Sequence, residues 1–115
     1  MVKKWEIYFV NLNPIKGSEQ SGQRPALVVS NNAVNTYLPV CTVIPFSSHS
    51  PGTKIYPTEI LIKKENSGLK KDSILMLQQI RTIDAQRLIS PAVSMITDES
   101  LKKSINFALK EYFEL

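Results

Sequence analysis

The chain is poor in the residues that build metal sites and covalent cross-links. It has one cysteine, Cys41, and one histidine, His49, in 115 residues. A single cysteine excludes an internal disulfide. Cys41 lies in an apolar run, where a thiol behaves as a small buried hydrophobe. One Cys and one His are too few for a zinc-type site, so neither a metal nor another cofactor is expected. Long apolar runs are missing too. None approaches the roughly 20 residues that a membrane span needs. The first residues, Met1-Val2-Lys3-Lys4-Trp5-Glu6, carry no apolar signal-peptide core. A cytoplasmic protein without a membrane partner is the expectation.

What is present fits one globular domain over residues 1–115. Hydrophobic residues make up 43% and no tract is of low complexity, which excludes a disordered chain. The net charge of +4 points weakly toward an anionic partner such as nucleic acid, and equally fits a soluble basic surface.

Short strand signals dominate. Glu6–Asn11 is rich in β-branched and aromatic residues. Pro25–Ser30 is near-continuously apolar, with Pro25 suited to a first strand position. Asn31 and Asn32 can cap a helical turn over residues 33–35. Val40–Pro45 and Glu59–Ile62 read as strands. Ser47–Gly52 reads as a loop and Asn66-Ser67-Gly68 as a turn. Ser73–Leu77 and Ile80–Ile83 are two strands or one long bent strand, and Pro91–Met95 holds a short one. The period then changes. Leu101, Ile105, Ala108, Leu109, Tyr112 and Phe113 form one helical face, with Thr97 or Asp98 as the cap. Many short strands followed by one helix make a mainly β chain, a small antiparallel barrel closed by a C-terminal helix.

Residues 13–25 read Asn-Pro-Ile-Lys-Gly-Ser-Glu-Gln-Ser-Gly-Gln-Arg-Pro and join the first two strands. That is longer than the two to five or so residues of a hairpin loop. Long polar loops on rigid strands are where binding and catalysis concentrate. The pattern from Pro14 to Pro25 resembles the signature of the MazF/PemK family of toxin endoribonucleases. Val43-Ile44-Pro45-Phe46-Ser47-Ser48 is similar to that family's second block. Asp72-Ser73, then Gln79-Ile80-Arg81-Thr82-Ile83-Asp84 and Arg87-Leu88, are similar to its third. The resemblance covers nearly the whole chain. It implies an SH3-like barrel of the CcdB/PemK kind, assembled as a homodimer and inhibited by an acidic antitoxin of the MazE type that occupies the RNA site.

It also implies a reaction. RNA carries its own nucleophile, the 2′-OH. Attack on the adjacent phosphate leaves a 2′,3′-cyclic phosphate and a 5′-OH, with no metal required. The protein supplies donors to the charged phosphorane. Arg24 matches the family's loop arginine and is the first candidate, with a loop anchor as the plain alternative. Ser47 stands where relatives have Thr and keeps the hydroxyl; Ser48 takes its place if the register shifts by one. Glu19 and His49 are candidates for proton transfer. Glu19 serves equally as a residue that orders the loop, and a lone loop His is usually solvated. Lys16, Gly17, Ser18 and Gln20 of the loop, Lys54 and Tyr56, and Gln79 and Arg81 are the expected contacts to single-stranded RNA. Two residues depart from the family. Gln78 stands near a position that is often acidic, and Trp5 where relatives often have Gly. Two other readings stay open: a non-catalytic RNA- or peptide-binding SH3-like barrel, and a gyrase-poison toxin, which the Gly-Ser-Glu-Gln loop argues against.

Overall fold

The computed structural model describes residues 1–115. In chain order it holds β1 (Glu6–Asn11), β2 (Gln23–Val28), α1 (Asn32–Tyr37), β3 (Val40–Ser48) and β4 (Glu59–Ile62). There follow α2 (Lys64–Ser67), β5 (Ser73–Met76), β6 (Arg81–Asp84), β7 (Ser94–Met95) and α3 (Glu99–Phe113). All strand pairings are antiparallel.

β3 organises the sheet. Its start, Val40–Val43, pairs with β6; its middle, Val43–Pro45, with β2; its end, Phe46–Ser48, with β5. β4 extends the sheet beyond β5, and β1 lies between β2 and β7. A bridge from Val10 to Leu88 and a bond from the Ile89 N–H to the Phe9 carbonyl return the chain after β6 to β1.

The strands β1 to β3 are buried on both faces. Ile7, Leu27, Ile44 and Phe46 join Ile62, Leu75 and Ile105 in one core. Tyr8, Val10, Ala26, Val28, Cys41 and Val43 join Ile83 in the other. Two-sided burial explains why these segments read as near-continuous apolar runs rather than alternating ones. Asp98 caps α3 by accepting from the Ser100 N–H, and Ile105 of α3 is fully buried.

Several boundaries differ from the expectation. β3 runs on through Ser47 and Ser48, which turn signals had placed in a loop, because β5 offers Ile74 and Ser73 as pairing partners. β2 opens at Gln23, so Pro25 is its third residue. Pro25 pairs with Phe9 but precedes the first β2–β3 pair, Ala26 with Pro45. Residues 73–83 form two strands separated by a 3-10 turn over Leu77–Gln79. Asn66–Ser67 belongs to the short helix α2, which Gly68 ends at φ +75°. The apolar stripe of α3 outruns the core: Tyr112 and Phe113 are exposed and pack edge-on against each other.

Trp5 takes φ +77°, a left-handed conformation that suits glycine. Such strain costs about 1–3 kcal/mol for a bulky residue. Its ring packs against the first core, with the ammonium groups of Lys4 and Lys102 at 5.1 and 5.7 Å. This is the physical meaning of the departure from Gly at this position.

Ile105→Ala should destabilise the protein by about 2–5 kcal/mol. Phe107→Ala, at a residue 65% exposed on the same helix, should change stability by no more than about 0.5 kcal/mol. Urea titration reads both. Equal midpoints would show that α3 is not docked on this core.

Candidate active site

Arg24 stands near the start of β2, where the β1–β2 loop ends. It has no acidic partner; the two ion pairs of the chain are Lys63–Asp72 and Lys102–Glu99. Neutral oxygens hold it instead. Nε donates to the Ser21 carbonyl at 2.9 Å and Nη1 to the Phe46 carbonyl at 3.1 Å. With the Gln20 amide turned so that its oxygen faces the guanidinium, Nη2 and Nη1 donate to it at 2.7 and 2.8 Å. A guanidinium has five N–H donors in a planar fork, so these contacts leave an N–H of Nη2 for a ligand. Burial pulls the Arg24 pKa below its ordinary value. An arginine is still charged at neutral pH. The result is a half-buried cation with no counter-ion.

The sheet register brings hydroxyls to it. The β2–β3 pairing ends at Ala26 with Pro45, so Arg24 on β2 and Ser47 and Ser48 on β3 lie just past it, where β3 has turned to pair with β5. Both serines line a cleft of about 400 Å³ together with Arg24, Pro25, Phe46 and Ser73. Gln23, Phe46 and Ser73 were not among the residues expected there. All three lie in the motif blocks, but their convergence depends on register against β3 and β5, a long-range property.

The loop itself is fastened by side chains distant in sequence. Gln79 reaches it from the 3-10 turn. Its Oε1 accepts from the Gln20 N–H at 2.9 Å and its Nε2 donates to the Ser18 carbonyl at 3.3 Å. Arg81 donates to the Leu12 carbonyl at 3.3 Å. Arg87 donates to the Asn11 carbonyl at 3.1 Å and the Asn13 carbonyl at 2.6 Å. Glu19 is exposed and accepts from the Lys16 N–H at 2.6 Å, so it orders the loop tip and makes no pair with Arg24. Gly22 takes φ +82° and closes the loop, its carbonyl accepting from the Leu12 N–H at 3.1 Å. Lys16, Gly17 and Ser18 remain exposed at the tip. The anchoring role of Arg87 was not anticipated. The available clue was that all three arginines of the chain fall in or beside the three motif blocks.

The other candidates lie apart. His49 follows β3 and donates its N–H to the Asp72 carbonyl at 3.0 Å; its Nδ1 is buried without a partner. His49 does not line the cleft. Lys54 and Tyr56 sit on the β3–β4 loop, both exposed, with the Lys54 ammonium 4.9 Å from the Tyr56 ring. Gln78 bridges Thr58 at 3.0 Å and Glu59 at 2.8 Å.

The comparisons with known proteins agree with this architecture. The PemK-like, MazF-like toxin family of type II toxin-antitoxin systems matches residues 3–113. The chain belongs to this family. Endoribonuclease EndoA of Bacillus subtilis (strain 168) is 38% identical over 103 residues, covering 90% of this chain and 87% of that protein. Among solved structures, MazF of Deinococcus radiodurans shares the fold with a TM-score of 0.81 at 20% identity, covering 99% of this chain and 97% of that one. An endoribonuclease in complex with its cognate antitoxin, from a mycobacterial species, gives a TM-score of 0.78 at 20% identity, over 100% and 97% of the two chains. No helix of the chain is long and apolar enough to cross a membrane.

Gln79→Ala removes both bonds to the loop and leaves the core untouched. Hydrogen exchange at the Gln20 amide should quicken by roughly fivefold, the worth of one net hydrogen bond. An unchanged rate would show that other contacts hold the loop.

Proposed function

We propose that this chain is the toxin of a type II toxin-antitoxin pair and cuts single-stranded RNA through the substrate's own 2′-OH. The observation that carries the reading is Arg24, a cation without a carboxylate partner, lining one cleft with the Ser47 hydroxyl. Family membership and the 38% identity to an endoribonuclease support it.

In this reading the 2′-hydroxyl gives its proton to solvent as its oxygen attacks phosphorus, the bond to the 5′-oxygen of the next nucleotide breaks, and that oxygen takes a proton from solvent, leaving a 2′,3′-cyclic phosphate and a 5′-OH. Negative charge grows on the non-bridging oxygens. The free N–H of Arg24 and the hydroxyl of Ser47 donate to them. These donors are already in place, so little reorganisation is needed as the charge develops. Ser48, which lines the same cleft, is the secondary choice. Glu19 and Gln79 act on the loop rather than on the phosphate, while Lys16, Gly17, Ser18 and Gln20 present its tip to RNA. The side chains lining the cleft include no carboxylate or imidazole to ligate a divalent cation, which favours a metal-independent reaction.

The same proposal takes residues 1–115 as one domain, an SH3-like barrel that works as a homodimer in the cytoplasm. The return of the chain from Leu88 to Val10 supports the barrel reading. An acidic antitoxin tail of the MazE type would occupy the same cleft and exclude RNA. A ternary complex of both ligands on one toxin would sink that inhibition model.

Arg24→Ala should fold normally and lose roughly 10²–10³-fold in cleavage rate, the effect of removing one preorganised donor. Arg24→Lys should recover little, because a point charge does not replace a planar fork. With wild-type protein, an oligonucleotide that is deoxy only at the sugar 5′ to the cut should bind and stay whole, and EDTA should leave cleavage of the ribo form unchanged. Cutting of the deoxy form, or a 5′-phosphate end, would require an activated water instead.

A further inference from the structure

The cleft at Arg24 does not end at Ser48. A second depression of about 490 Å³ shares Pro25, Ser48 and Ser73 with it. Beyond these shared residues its walls change character. Phe9, 39% exposed, and Val93, 43% exposed, supply apolar surface on one side. Lys70 and Lys71 stand on the turn that leads into β5. Neither lysine has an acidic partner.

That turn is built rather than loose. Gly68 takes φ +75°, and a Cβ there would lie 2.8 Å from the Ser94 Cβ, so the turn packs directly on β7. Ser94 Oγ donates to the carbonyl of the buried Ser67 at 2.6 Å. The Leu69 N–H donates to Ser67 Oγ at 3.0 Å, and Ser73 Oγ to the Lys71 carbonyl at 3.0 Å. Asp72 accepts from the Lys64 N–H at 2.9 Å, and its carbonyl from the His49 N–H at 3.0 Å. The backbone on both sides of Lys70 and Lys71 is therefore fixed, while their ammonium groups are left unpaired.

We propose that this depression is a second nucleotide subsite, in which the Phe9 ring takes a base flanking the cut and Lys70 and Lys71 take the neighbouring backbone phosphates. The inference rests on the RNA-cleaving reading above. An aromatic face beside unpaired cations is the chemistry by which single strands are held: stacking accepts any base, and the cations follow the backbone. The shared wall of Pro25, Ser48 and Ser73 makes the two depressions one continuous path for a strand. None of Phe9, Lys70 and Lys71 lies in the loop or strand that carries the proposed chemistry.

The test compares wild type with K70Q/K71Q and with Phe9→Ala. Substrates are a long RNA whose cut site has been mapped and the shortest oligonucleotide around that site that wild type still cuts. For K70Q/K71Q, KM on the long RNA should rise about tenfold at unchanged kcat, and the short substrate should be cut as by wild type. The slope of log KM against log salt should shrink by up to about 1.4, or about 0.7 for each single-strand phosphate that a lysine no longer neutralises. Phe9→Ala should raise KM about tenfold, within the range expected for removing one base stack. Wild-type KM and salt slope for K70Q/K71Q on the long RNA would overturn the proposal. So would an unchanged KM with altered self-association in Phe9→Ala, which would give this face to a second copy of the chain. Failure of wild type to cut any RNA would overturn the ribonuclease reading itself and is visible in the first lane.

Discussion

The arrangement depends on a guanidinium that is held by neutral oxygens alone. A carboxylate beside Arg24 would hold it as firmly, but would also neutralise it and compete with a phosphate. Carbonyls of Ser21 and Phe46 and the Gln20 amide fix the fork without cancelling its charge. A fully buried cation without a partner would be costly. Arg24 is half-buried, at the mouth of a cleft, where solvent or an anion can complete its shell. The same choice recurs in the other two arginines. Arg81 and Arg87 also donate to backbone carbonyls of the segment Asn11–Asn13. Together they tie down the start of the loop whose end carries Arg24, and they leave the field around it positive.

β3 converts this local feature into a site. One strand has to pair with β6, β2 and β5 in turn, and it must run to Ser48 to do so. Its passage from the β2 edge to the β5 edge is what brings the Ser47 hydroxyl to the cleft that Arg24 lines. The Phe46 carbonyl that accepts from Arg24 belongs to the same stretch, while the Phe46 side chain is anchored in the core. A shift of β3 by one residue would carry Phe46 out of the core and turn Ser47 to the other face of the sheet. Packing and the candidate site thus share one register.

Most of the elements were legible in the sequence because they rest on local rules. The apolar runs, the Gly-punctuated loop, the Asp98 cap and the helical stripe of α3 are such signals. The family pattern singled out Arg24 and Ser47 before any geometry was available. What stayed hidden depends on contacts distant in sequence. Ser47 and Ser48 read as loop until β5 supplied partners. The hold of Gln79 on the loop, through bonds to Ser18 and Gln20, 61 and 59 residues away, left no trace in the sequence beside its expected RNA contact. Tyr112 and Phe113 kept the helical period after the core beneath them had ended. The turn around Lys70 gave no sequence signal. Its order comes from the close approach of Gly68 to Ser94 and the hydrogen bonds of Ser67, Ser73 and Asp72 around it.

The central claim is that Arg24 acts on the transition state more than on bound RNA. The direct measurement pairs two numbers for Arg24→Ala: kcat/KM on a cleavable RNA, and Kd for the same sequence with deoxyribose at the cut. Groups that bind substrate and transition state equally change both by the same factor; a transition-state donor does not. The account predicts a Kd within about fivefold of wild type, against a kcat/KM lower by roughly 10²–10³-fold. Equal losses in the two would contradict it and reduce Arg24 to an RNA-binding residue.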